Sequence, residues 1–163
     1  MNKEERGRKA SIDGFAHEHI VAGILMKKYQ NVSLVDLPFS PYDIIIVRKK
    51  NGKEDIIRVQ VKTAKRSVSF TGGSRGGADR VYKSGIKTYI QNTETSDVIV
   101  GIRPGKDTNR YDLYFIPTVL IAHWGTKSKS IKKLEPLKNN YYFLEHCKDH
   151  TNIIRKAEAL GLL

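Results

Sequence analysis

Residues 40–66, SPYDIIIVRKKNGKEDIIRVQVKTAKR, decide how this chain is read. Two β-rich runs flank Asn51-Gly52, a dipeptide strongly favoured in two-residue type I′ hairpin turns. A hairpin closed by that turn pairs Lys50 with Lys53 and, counted outward, sets Asp43 opposite Gln60. Directly opposed side chains stand about 4.5–5.5 Å apart at Cβ. Lys62, two residues beyond Gln60, points to the same side of the sheet, as does Arg58, while Val59 and Val61 turn to the core. Asp43, Gln60 and Lys62 therefore converge at the open end of the hairpin, provided no bulge shifts the register.

That trio suits phosphodiester hydrolysis. The reaction needs an attacking water, relief of charge on the phosphoryl oxygens and help for the leaving oxygen, much of which a divalent metal supplies. Mg²⁺ takes oxygen ligands and retains several waters. Asp43 offers a carboxylate, Gln60 a side-chain carbonyl and Val61 its backbone carbonyl. Lys62 is placed to orient or deprotonate water and to offset charge on the scissile phosphate.

The pattern SPYD…RVQVK resembles the PD-(D/E)xK nuclease superfamily, in which an Asp opens one strand and an acid-x-Lys lies on its hairpin partner. More narrowly, SPYDIIIV with RVQVKT looks like the small homing endonucleases of group I introns, where Gln replaces the acid. Tyr42 stands directly before the Asp, with Pro41 one place earlier. The resemblance spans about residues 14–66 and extends to the preceding helix, which commonly gives a Glu to the metal site. Glu18 is the matching position, without the Gly that often precedes it, and Asp13 competes for the role. The implied fold is α/β: a restriction-endonuclease-like core with a central mixed sheet of four to five strands flanked by helices. The implied activity is Mg²⁺-dependent cutting of double-stranded DNA, with Mn²⁺ as substitute, at specific sites and by a homodimer or homotetramer. A Holliday-junction resolvase, or a catalytically silent DNA-binding module, is the alternative.

Composition agrees. Lys and Arg number 29 against 17 acids, a net charge of +12, which in a small chain points to a polyanion. Arg58 is expected to contact phosphate, together with Arg75, Arg80, Lys83 and Lys87 of the glycine-rich segment TGGSRGGADRVYKSGIKTY. The single cysteine, Cys147, excludes an internal disulfide and suggests an intracellular, cytoplasmic protein. MNKEERGRKASIDG carries no apolar run behind its charges, so no export signal is expected, and no run is long enough to span a membrane.

The remaining elements read as a flexible basic arm over 1–10, then one domain over 11–163. It opens with an amphipathic helix from Gly14 to Tyr29, with Phe15, Ile20, Ala22, Ile24, Leu25 and Met26 inward. Strands are expected at 31–37, 96–103 and 111–121, and a C-terminal helix is closed by Gly161. His146 and His150 have the i, i+4 spacing of a zinc pair, but no second pair of ligands accompanies them. TGGSRGG lacks the ending of a nucleotide phosphate loop.

Overall fold

The structure is a computed structural model that describes residues 2–37, 39–73, 88–107 and 109–163. Its elements run α1 (Lys3–Tyr29), β1 (Val32–Leu34), β2 (Ile44–Lys50), β3 (Lys53–Thr63), β4 (Ser67–Ser69), β5 (Thr71–Gly72), β6 (Tyr89–Ile90), β7 (Val98–Pro104) and β8 (Tyr111–Pro117). There follow α2 (Thr118–Trp124), β9 (Ser128–Ser130), a 3₁₀ turn (Glu135–Leu137), α3 (Tyr142–Glu145) and α4 (His150–Ala159). Five strands form one mixed sheet in the order β1-β2-β3-β7-β8, while β4-β9 and β5-β6 are separate two-stranded ribbons. Helices flank the sheet, as expected for an α/β fold. Among the described residues, no helix is long and apolar enough to cross a membrane.

The β2–β3 hairpin has the expected register, with Lys50 opposite Lys53 and Ile44 opposite Val59. Asn51 and Gly52 both take positive φ, 53° and 75°, as a type I′ turn requires. Alternation follows: Ile57, Val59 and Val61 are buried, while Arg58, Gln60 and Lys62 are only half-buried. Strand β7 differs. Val98 to Ile102 are buried without interruption, because β7 is the parallel neighbour of β3 and is covered on both faces.

At Gly101 the cover is tight, since a Cβ there would stand 2.7 Å from Val68 Cγ2. Gly101→Ala is therefore expected to destabilise by about 1–3 kcal/mol. Adding Val68→Ala should give a double variant less destabilised than the sum of the two, because the clash is gone. Urea unfolding of the three variants checks this.

Three sequence expectations change. The first helix begins at Lys3, because Asn2 and Glu5 form a capping box, each side chain on the other's backbone N–H at 2.8 Å. Residues 3–10, expected as a loose arm, are exposed helical turns. On that helix Val21, Ala22 and Leu25 are buried, but Phe15 and Met26 are 66% and 43% exposed rather than inward. The third correction is at Pro117: the strand ends there and the apolar run continues as α2, with the Thr118 hydroxyl donating to Ser96 O (2.7 Å).

Candidate functional site

Where β2 opens away from the turn, Asp43 extends the ladder through its N–H to Val59 O (2.9 Å). Its carboxylate Oδ2 accepts from the Val61 N–H (2.8 Å) and from Gln60 Nε2 (2.5 Å). The same amide nitrogen donates to Val61 O at 3.2 Å. A single donor thus lies between the Asp43 carboxylate and the Val61 carbonyl, so the two oxygens face one point. Asp43 Oδ1 has no hydrogen-bond partner among the described residues. Such a hard-oxygen set suits a cation such as Mg²⁺. Among the described residues there is no cluster of three or more His, Cys, Asp and Glu side chains, so two carboxylates are the most this site commits.

Glu18 and Lys62 belong to the same cluster by their electrostatics. Burial, and then the Asp43 charge, push the Glu18 carboxyl up to about 7, against the pull of His19 and Lys62. Burial raises Asp43 as well, partly offset by the Val61 N–H, Lys62 and Gln60. Lys62 moves down, also by burial, despite Asp43 and Glu18. Each group is drawn toward neutrality by desolvation that its neighbours only partly compensate. That is costly for a scaffold and common where groups do chemistry.

A stability signature follows for the metal-free protein. Protonated Glu18 favours the folded state, so its contribution is fully present below pH 4.5 and is lost as pH rises through about 7. In EDTA, Glu18→Gln is expected to remove this decline, and the difference in melting temperature between variant and parent should grow across that window. Taking the difference matters because His17, held down by burial, contributes in the opposite sense.

One residue that no local sequence signal singles out organises the site. Gln91 is 1% exposed, and its Nε2 donates to Pro41 O (3.0 Å) and to Gln60 Oε1 (3.2 Å). Its Oε1 accepts from the hydroxyls of Thr95 (2.5 Å) and Ser96 (2.8 Å). The Pro41 carbonyl can only accept, so it fixes which way the Gln91 amide faces. That in turn fixes Gln60, whose oxygen must meet Gln91 and whose nitrogen must meet Asp43. The sequence expectation that Gln60 offers its carbonyl to a metal therefore meets an opposing hydrogen-bond chain: Gln60 holds Asp43 through its nitrogen. Tyr89 is the second addition. Its ring lies over Gly72, where a Cβ would stand 2.6 Å from Cζ, and burial, then the Asp43 charge, raise its pKa.

Arg58 shares the face of Gln60 and Lys62, but its guanidinium is engaged elsewhere. It donates to Asp97 Oδ1 (2.9 Å) and Oδ2 (3.2 Å), to Glu94 O (2.7 Å) and to Thr93 O (2.7 Å). These internal partners hold the guanidinium against the segment 93–97. Arg75, Arg80, Lys83 and Lys87 lie outside the described residues. Asp13, the competitor of Glu18, faces His17 and the end of β3 instead. His146 and His150 lie on different helical elements, α3's cap and the start of α4.

A search of solved structures finds this architecture in a bacterial homing endonuclease, I-Ssp6803I, with a TM-score of 0.52 and 14% sequence identity. The match covers 82% of this chain and 91% of that one. No family model and no curated protein sequence matches the chain. At that identity the likeness establishes a shared fold.

Proposed function

We propose that the protein is a Mg²⁺-dependent endonuclease of double-stranded DNA, cutting at specific sites in the manner of homing or restriction enzymes. The observation that carries this reading is the meeting of Asp43, the Val61 carbonyl, Glu18 and Lys62 at the open end of the β2–β3 hairpin. The net charge of +12 and the fold shared with a homing endonuclease support it. In this reading the Asp43 carboxylate and the Val61 carbonyl hold the cation, with Glu18 as the second carboxylate. Bound Mg²⁺ would supply Lewis-acid activation of water and neutralise phosphoryl charge. Gln60 orients Asp43. Lys62, brought closer to neutrality by burial, positions the attacking water and accepts its proton or, when charged, stabilises the phosphoryl oxygens. One chain presents one such centre, so cutting both strands calls for a homodimer or homotetramer.

The test is incubation with complex genomic DNA in Mg²⁺ and, in parallel, in Mn²⁺, with the ends sequenced. Cuts clustered at one sequence and abolished by EDTA are the expected result. Cleavage of four-way junctions without regard to sequence would transfer the reading to a junction resolvase. A second reading, duplex binding without cleavage, is favoured by one observation: the Gln91 chain turns the Gln60 nitrogen, not its oxygen, toward Asp43. Retained binding with no cuts in either metal would select it.

A further inference from the structure

Beyond Lys62, β3 runs through Thr63 to Lys65 and Arg66 and enters the β4–β9 ribbon. There Ser67 pairs with Ser130, Val68 with Lys129 and Ser69 with Ser128. Residues facing each other across an antiparallel ribbon share a side. Val68 is buried beneath the ribbon, and Lys129 lies on Trp124 (3.9 Å) with its ammonium 3.4 Å from Leu162 O. The other side is four serines, and among the described residues the hydroxyls of Ser67, Ser128 and Ser130 have no hydrogen-bond partner. Two basic segments distant in sequence meet at this ribbon. Ile131 N–H donates to Arg66 O (3.1 Å) and Phe70 N–H to Lys127 O (2.8 Å), which sets Lys65 and Arg66 beside the segment 127–133.

Lys65, Arg66, Lys127, Lys132 and Lys133 are all exposed, and none forms an ion pair among the described residues. The serine side opens on a cleft of about 500 Å³ between the ribbon and α1. Thr63, Lys65, Arg66, Ser67 and Ser69 line it on one wall, with Ala10 and Asp13 opposite, and among the described residues Asp13 is its one carboxylate.

We propose that this cleft and the serine side of the ribbon form a backbone track for duplex DNA flanking the cut, with phosphates held by Lys65 and Arg66. Short hydroxyl side chains let a phosphate approach the ribbon closely and give it neutral donors, while the unpaired cations supply the attraction. The track starts one residue beyond Lys62, so a strand lying in it passes the reacting centre. This assignment rests on the nuclease reading for its substrate.

The experiment measures binding of a non-specific 30-base-pair duplex in EDTA over a range of salt, using the full chain. The double variant Lys65→Gln/Arg66→Gln is compared with Lys49→Gln/Lys50→Gln, which removes equal charge at the hairpin tip. The track variant is expected to lose about 0.9 of salt slope per phosphate contact and to bind roughly tenfold or more weakly, with the tip variant unchanged. Equal losses in both variants would overturn the track, as would losses seen on single-stranded RNA but not on duplex DNA. Wild type that cuts DNA while the track variant binds unaltered would overturn the track and leave the nuclease reading standing. Wild type that binds but does not cut, with the slope still lost in the variant, would sustain the track and overturn the nuclease reading.

Discussion

Lys62→Met is expected to slow DNA cleavage by about 10²–10⁴-fold without unfolding the protein. Met keeps the aliphatic stem that packs along β3 and removes only the ammonium. Burial already works against that charge, so its loss relieves a desolvation cost while depriving Asp43 and Glu18 of their counter-ion. Both carboxyls should then titrate still higher, which separates a reacting Lys from a merely structural one. A structural counter-ion would show a fall in stability with cleavage tracking the folded fraction. A reacting Lys shows a melting temperature near that of the parent, duplex binding in EDTA retained and single-turnover cleavage lost. Parallel losses in all three would remove Lys62 from the chemistry.

Asp97→Ala should produce the largest loss of stability of any single substitution considered, about 3–5 kcal/mol. Asp97 is 8% exposed and does several jobs at the start of the parallel ladder. Its carboxylate accepts from the Arg58 N–H (2.8 Å) and from the Arg58 guanidinium, its N–H reaches Arg58 O (2.9 Å), and its carbonyl takes the Thr118 N–H (3.1 Å). Truncation leaves a half-buried guanidinium and a backbone donor without their acceptor. In a chain of this length the melting temperature should fall on the order of 10 °C. Asp97→Asn, which retains an acceptor for the Arg58 N–H, should lose less. Urea midpoints of the two variants give the comparison, and a change below about 1 kcal/mol for Asp97→Ala would mean the pair contributes little more than an exposed ion pair.

What the sequence made legible follows from how local each signal is. Asn51-Gly52 and the period-two alternation lie within one hairpin, so its register, and with it the meeting of Asp43 and Gln60, could be counted out directly. Glu18 could only be reached by resemblance, because nothing local relates a helix residue to a strand that follows it. Gln91 carried no signal at all: a glutamine in a short YIQN segment acquires meaning only when folding sets its amide between Pro41 and Gln60. Arg58 was legible only in part. Alternation put it on the right face, yet an Asp near in space and remote in sequence claimed it. The run 111–121 is apolar throughout, and such a run does not distinguish a strand from a strand followed by a helix.

Among the described residues β3 on β7 is the one parallel ladder, and loop-closure entropy predicts that it forms late. On either side of it the β2–β3 and β7–β8 hairpins join neighbouring segments and close cheaply. The ladder itself must bring Val59 to Val98 across a long intervening chain and pays the larger loop-closure entropy. Glu18, Asp43, Gln60 and Lys62 all arrive with the first half of the chain, whereas Gln91 and Asp97 arrive with the second. A nascent chain that has made only the first half therefore carries Glu18, Asp43, Gln60 and Lys62 but not Gln91, which holds Gln60. On the nuclease reading, competence to cut is expected to appear only as this last pairing closes.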